Sequence, residues 1–476
     1  MNWSSLFSIM QNEIVLVAII LILLISEIIF DNKEKIIHLS IGLFLLHTIY
    51  GFISMPEGTL FGGMFKTGLT IDMFKNILNV GVLIVLFQSA GWVKEKMQEC
   101  NRVSEFFLLL FSSLLGMYFM ISAGDFLMFY IGIELASLPV AGLAAFDTFQ
   151  RRSNEAGLKY IFLAAVTSGV SIFGISLLYA GSGSIYFSEV SKYLTTEPLM
   201  LLGFLFFIVG LLFKISIVPF HLWTADVYEG APIGVTSFLS VISKGASAFI
   251  LMVILYTFST QIMDVWKELL YMLSIITMFI GNLFALRQKN IKRFLAFSSI
   301  AQAGFLILGM ISGTQLGMAA VIFFIATYIF SNLGAFGVVQ AIYNKTGYEN
   351  IDDYNGLYRT NPLLSVLMML ALFSLAGIPP VAGFFGKFFL FMSAASEGYY
   401  WLIFIAVINV TISLYYYLLV VRAMFIRPND NPIPYFSSDF YMKIGLLLPA
   451  IGIIVVGFYS PIYEHINDLV ALFLNK

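Results

Sequence analysis

Long apolar runs follow one another along almost the whole chain, separated by short polar segments. A bilayer core needs about 20 residues of helix to be crossed, and the runs meet that length. Hydropathy places about 14 spans, near 13–30, 36–54, 73–92, 104–122, 125–146, 155–180, 199–221, 232–256, 266–286, 292–311, 315–342, 361–396, 400–425 and 441–460. The longest connection is roughly 20 residues, which leaves no room for a soluble catalytic domain. The pattern predicts an all-α polytopic membrane protein. The first 13 residues contain no lysine or arginine, so the first run is read as a retained helix rather than a signal peptide.

Two spans are interrupted. The seventh meets Pro219, and the twelfth meets "GIPPVAG" (377–383), where Pro379 and Pro380 remove backbone donors and crowd the preceding carbonyls. Irregular backbone at membrane depth is stable only where protein or a water cavity satisfies it. Counted from the fourth span, each break falls on the fourth helix of a five-helix set, spans 4–8 and 9–13. Five is odd, so the second set is expected to run inverted relative to the first. Paired broken helices in corresponding halves point to the ion site of an inverted-repeat transporter, although a single proline kink is common in any membrane helix. The expected divisions are three N-terminal helices (1–103), a first five-helix repeat (104–256), a second, inverted one (257–425), and a C-terminal loop with the last span (426–476).

Charge inside the spans adds chemistry to this frame. Glu134 lies about nine residues into the fifth span, roughly 13 Å along it. Lys214, Lys244 and Lys387 fall at similar middle depths of the seventh, eighth and twelfth. Snorkelling, which explains lysines near helix ends, does not reach the interface from there. One such lysine is readily a structural ion pair; three lysines and a glutamate on separate helices favour a proton path. Deprotonating an ordinary lysine at pH 7 costs about 4.6 kcal/mol, and a low-dielectric site narrows that gap. A carboxylate that approaches or recedes would then load or unload the amine.

Polar neighbours fit this reading. Ser237, Ser240, Lys244 and Ser247 form one stripe on the eighth span. Ser298 and Gln302 share a face of the tenth, and Asn409, Ser413 and Tyr416 share one of the thirteenth. Such stripes line a water chain or make interhelical hydrogen bonds, and the residues alone leave both readings open. His221, just after Pro219, is equally a structural residue or a proton carrier. His38, His47 and Cys100 are read as structural, and Glu155, Lys159 and the run Arg287–Arg293 as markers of the membrane boundary.

Composition excludes other classes. Of 476 residues 60% are hydrophobic and 11% charged, with a mean hydropathy of +0.93. The net charge of −2 carries no sign of nucleic-acid binding. One cysteine excludes a disulfide framework and a thiolate-bound iron–sulfur cluster within the chain, and four scattered histidines suggest no metal cage. Loops after odd-numbered spans hold Lys33, Lys35, Lys94, Lys96, Arg102, Arg151, Arg152, Arg287, Lys289, Lys292, Arg293, Lys345, Arg359 and Arg427. Those after even-numbered spans hold little beyond Lys66, Lys192 and Lys267. The positive-inside rule then puts both termini on the non-cytoplasmic side of the membrane.

Several stretches are longer and more specific than any single residue. "FKISIVPFHLWTADVYEGAPIGVTSFLSVISKGA" (213–246), "ALRQKNIKRFLAFSSIAQAGF" (285–305) and "LFSLAGIPPVAGFFGKF" (372–388) closely resemble the antiporter-like membrane subunits of respiratory complex I, NADH:quinone oxidoreductase. "IELASLP" and "EAGLKYIFLAA" fit as well, and the similarity covers about residues 105–425. Within that family "DVYEGAP", and the lack of a long lateral C-terminal helix, favour the N-type branch over the M and L types. So does Lys387, since M-type members usually carry glutamate there. The resemblance implies that Glu134 and Lys214 are a coupled acid–lysine pair, Lys244 the central relay and Lys387 the terminal one. Many N-type members have histidine where this chain has Gln302; an amide does not titrate near neutral pH, so that step would be water-mediated.

The resemblance further implies a proton-pumping subunit with no redox centre of its own. FMN, iron–sulfur clusters and quinone are expected in partner subunits, among them the antiporter-like M-type subunit and small membrane subunits. Two rival expectations are a subunit of a cation/proton antiporter or membrane-bound hydrogenase, and a passive membrane anchor for redox subunits.

Overall fold

The computed structural model describes residues 3–30, 32, 34–53, 56–97 and 102–474; Lys33 and Cys100 lie outside the described residues. A short α1 (Trp3–Ile9) leads into α2 (Gln11–Ile29) and α3 (Glu34–Tyr50). A small antiparallel hairpin, β1 (Gly58–Leu60) with β2 (Phe65–Thr67), precedes α4 (Leu69–Trp92). Then come α5 (Val103–Ile121), α6 (Phe126–Ala144), α7 (Arg151–Ser182), the short α8 (Phe187–Tyr193) and α9 (Pro198–Ile215). Asp125 caps α6 by accepting a hydrogen bond from the Met128 amide at 2.9 Å.

The seventh predicted span breaks just after Lys214. Ser216 takes a left-handed conformation (φ 69°), and Ile217 to His221 turn the chain before α10 (Leu222–Gly230) resumes. The eighth span is one apolar helix in two parts, α11 (Ile233–Phe238) and α12 (Lys244–Thr257), joined by a π-helical turn over Leu239–Ser243. Such a turn widens the helix by one residue and re-aims the side chains beyond it, here that of Lys244. Next are α13 (Ser259–Ala285), α14 (Ile291–Ser312), α15 (Gln315–Thr346) and a single turn, α16 (Leu357–Thr360). The twelfth span divides into α17 (Pro362–Ala376) and α18 (Ala382–Ser396) at Gly377 (φ 85°) and the two prolines. Here close approach demands glycine: a Cβ on Gly383 would lie 1.8 Å from the Ser374 carbonyl oxygen. The chain ends with α19 (Tyr400–Phe425), α20 (Phe440–Phe458) and α21 (Pro461–Leu474).

Among the described residues twelve helices are long and apolar enough to cross a membrane. The 17-residue α3 and the two-part α17–α18 bring the spans to the predicted fourteen. The centre of the bundle is α11–α12, α14 and α15: the apolar stretch of α14 is 100% buried, against 28% for α7 at the periphery. Lys244 and Gln302 are therefore on interior helices and Lys159 on an outer one.

Small residues let backbones touch where lipid supplies no hydrophobic drive. A Cβ on Gly116 of α5 would lie 2.3 Å from the Ala136 amide of α6, and one on Gly132 would lie 2.5 Å from the Met120 amide. Gly116→Val is expected to cost about 1–3 kcal/mol through overpacking. It should lower the thermal unfolding temperature of the purified protein, whereas Gly169→Ala, facing open space, should not.

Two features depart from the sequence reading. The C-terminal division holds a further helix after its last span: α21 buries Ile466 and Val470, stacks Tyr463 on Phe389 at 3.6 Å, and leaves Glu464, His465 and Asp468 exposed. The run Arg287–Arg293 is more than a boundary marker, since Lys292 is buried and ion-paired with Glu349 at 2.7 Å.

Candidate functional site

Lys214 sits at the end of α9, one residue before the break, and is 5% exposed. Its Nζ donates to the Tyr160 hydroxyl of α7 at 2.7 Å, with the ammonium 5.1 Å from the centre of that ring. Trp223, just past the break, packs edge-on to Tyr160 and donates its indole N–H to the Phe213 carbonyl at 3.0 Å. Thr224 donates to the Ser216 hydroxyl at 2.7 Å, so both sides of the break are tied together.

Glu134 does not touch Lys214: among the described residues no ion pair joins them. Its carboxylate accepts from Ser168, whose hydroxyl also lies 3.2 Å from that of Tyr130. Glu134 is half-buried on α6. The acid–lysine pair expected from the sequence is thus spaced, with Tyr160 holding the lysine and Ser168 the acid. Neither intermediary is marked in the sequence, because Tyr160 and Ser168 are two of several polar side chains along α7.

Lys244 comes directly after the π turn and is 5% exposed. Its Nζ donates to the Ser299 hydroxyl of α14 at 2.8 Å and lies 5.5 Å from the centre of the Tyr228 ring. Tyr228 packs against Trp223, so an aromatic wall runs Tyr160–Trp223–Tyr228 between the two lysines. A cation over an aromatic face is stabilised where water is scarce. The serine stripe is partly turned back on itself: Ser237, Ser240 and Ser247 donate to Ile233, Ser237 and Ser243 carbonyls. Ser240 also accepts from the Asn332 amide of α15 at 2.7 Å.

Lys387, one turn past the second break, donates to the Leu375 and Ala376 carbonyls at 2.8 and 3.1 Å. These carbonyls end α17 and lack intrahelical donors, so the break itself supplies the lysine's partners. Gln302 of α14 donates to the same Leu375 carbonyl at 3.0 Å and to the Tyr417 hydroxyl at 3.3 Å. Lys387 and Gln302 therefore meet at one oxygen. A small cavity of about 20 Å³ is lined by Lys244, Ser299 and Gln302, about the volume one water needs.

The remaining predicted residues fall elsewhere. Lys159 pairs with Glu155 and Asp226 at 2.7 Å, and Arg293 with Asp226 and Glu229 at 2.7 and 2.9 Å. That network ties α7, α10 and α14 at the bundle's edge. His221 lies in the first break with its Nδ1 buried. Pro219, Pro379 and Pro380 all lie in the breaks. A cavity of about 250 Å³, lined by Asp147, Glu229, Lys292, Gln340 and Glu349 among others, abuts Ile233 at the start of α11. Ser237 and Ser240 lie between Ile233 and Lys244 on that same helix.

A helical membrane bundle with two broken helices and a line of buried lysines, one beside each break and one between, has the build of an antiporter-like transport subunit. The chain belongs to the NADH:quinone oxidoreductase/Mrp antiporter transmembrane family, whose model matches residues 123–413. It is 49% identical to NADH-quinone oxidoreductase subunit N of Phocaeicola vulgatus over 417 residues, covering 87% of this chain and 88% of that one. It is 47% identical to subunit N of Azobacteroides pseudotrichonymphae over 472 residues, covering 97% and 98%. A chain of respiratory complex I from Thermus thermophilus superposes with a TM-score of 0.81 at 28% identity, covering 94% of this chain and 97% of that one. A chain of the Mrp complex from a Dietzia species shares the fold alone, with a TM-score of 0.82 at 17% identity and 97% of each chain covered.

Proposed function

We propose that this chain is the proton-translocating N-type membrane subunit of a bacterial NADH:quinone oxidoreductase. The single observation that carries the reading is the line of buried amines and hydrogen-bonding groups across the bundle: Tyr160–Lys214, then Lys244–Ser299, then Gln302 and Lys387 on one carbonyl. Each amine has one or two neutral partners and, among the described residues, no carboxylate in contact. A neutral partner accepts a hydrogen bond without fixing the amine's charge, so the proton is free to leave.

In this mechanism a proton reaches the charged cavity beside Ile233 from the cytoplasm and passes the Ser237–Ser240 face to Lys244. Glu134, held by Ser168, modulates Lys214 through space as its own charge changes. Lys244 hands its proton through Ser299 and a water between it and Gln302 to Lys387, which releases it toward the opposite face. The two five-helix sets act as inverted repeats, each contributing one broken helix. Both termini lie on the periplasmic side of the cytoplasmic membrane. NADH oxidation and quinone reduction take place in partner subunits that carry FMN and iron–sulfur clusters, with an M-type subunit and small membrane subunits as neighbours.

Lys214→Ala in the assembled complex tests the assignment. Proton pumping in proteoliposomes is expected to fall at least tenfold, and wild-type quinone reduction together with wild-type pumping would overturn it. Tyr160→Phe, which removes the hydroxyl and keeps the ring, should lower pumping by about ten- to hundredfold, since a hydrogen bond to a charged group is worth about 1.5–3 kcal/mol.

A further inference from the structure

A second buried ionic cluster lies away from the lysine line, in the N-terminal helices. Lys75 of α4 is 1% exposed and donates to Glu13 of α2 at 2.7 Å, with Asp72 3.8 Å away. Asp72 accepts from the Thr67 hydroxyl at 2.9 Å and from the Asn12 amide at 3.3 Å. With both acids ionised the cluster holds two negative charges and one positive in a low-dielectric setting, and such a surplus charge is costly. Glu13 Oε2, Asp72 Oδ2 and Asn12 Oδ1 are all buried and have no hydrogen-bond donor among the described residues. Protonating one carboxyl would both cancel the surplus charge and provide a donor.

Asp72 is also the acid with a route outward. A cavity of about 340 Å³ is lined by Asp72, Asn76 and the exposed His465 of α21, whose Leu469 carbonyl accepts from Thr70 at 2.8 Å. Facing the cluster from the inside, Tyr118 of α5 carries its ring 5.6 Å from the Lys75 ammonium and donates to Asn79. The Tyr118 hydroxyl lies 3.1 Å from Nε2 of His47 on α3. Phe74 stacks on Phe249 of α12 at 4.2 Å and separates this chain from the side of α12.

We propose that Asp72, with Glu13 and Lys75, forms a separate proton-exchange site opening on the face that carries α1 and α21. Hydronium in the cavity gives a proton to the Asp72 carboxylate, forming the O–H bond and leaving water, and the reverse step returns it. The other ionisable groups around the carboxyl are Glu13, Lys75, Tyr118, His47 and His465.

Infrared difference spectra of the intact complex, recorded as pH is stepped, test the site. The expected result is a carboxylic-acid carbonyl band that titrates in wild type, is absent in Asp72→Asn, and persists in Asp468→Asn on the exposed side of α21. A band unchanged in Asp72→Asn would overturn the proposal. If Asp72→Asn does not assemble, Thr67→Val removes one donor to the same carboxylate. It should shift the band's midpoint by about half a pH unit or more, and an unmoved midpoint would overturn the proposal. The band is read without pumping, so the outcome is independent of the Lys214 experiment.

Discussion

Lys244→Ala, in a complex assembled to wild-type amounts, loses proton pumping by about a hundredfold, the low end of what a positioned proton-transfer group contributes. The amine stands between two groups that pass hydrogen bonds but hold no proton near neutral pH, Ser299 at 2.8 Å and Gln302 across the small cavity. Removing it leaves no site for charge at the centre of the bundle. Lys244→Arg separates a relay from a structural cation. Arginine keeps the positive charge over Tyr228 but stays protonated throughout the physiological range. Pumping is therefore expected to remain lost in Lys244→Arg while the complex assembles normally. Recovery of pumping by arginine would mean that only the charge matters there.

Lys387→Ala is expected to remove both pumping and local stability. Its ammonium is the donor for the Ala376 carbonyl, which the break leaves without a helical partner, and it shares the Leu375 carbonyl with Gln302. Buried acceptors stripped of a donor cost about 1–3 kcal/mol each. The variant should melt at lower temperature than wild type as well as fail to pump. Lys387→Arg should regain most of the melting temperature and little of the pumping. The two measurements together distinguish the structural role of this lysine from its proton-carrying one, which Lys214 and Lys244, without backbone partners, do not combine.

The fourteen spans and both broken helices were legible because hydropathy and proline act locally. Pro219 and the Pro379–Pro380 pair mark the breaks that the structure contains at Ser216–His221 and Gly377–Val381. The three lysines were legible as mid-membrane charges, and burial agrees. Their partners were not. Tyr160 and Ser299 lie 54 and 55 residues from their lysines, the Leu375 carbonyl lies across the break from Lys387, and nothing in an apolar helix distinguishes one tyrosine or backbone oxygen from another. The π turn before Lys244 left no mark, since its residues, Leu239–Ser243, are ordinary in any helix.

The Glu13–Lys75 pair shows a different limit. Both residues lie close to the ends of their predicted spans, where charges normally meet water. The structure buries them because α1, the β1–β2 hairpin and α21 cover that end, and none of the three is long or apolar enough to register as a span. For α21 the signal was its amphipathic spacing: Ile466 and Val470, four residues apart, face inward while Glu464 and Asp468 face out.

We propose that protons cross this chain by way of its buried lysines. The most direct measurement is the number of protons translocated per electron pair by proteoliposomes holding the assembled complex with Lys214, Lys244 and Lys387 all changed to alanine. Translocation is expected to fall to the vesicle leak, whether electron transfer slows with it or continues uncoupled. A wild-type proton yield at a wild-type rate of quinone reduction would contradict it.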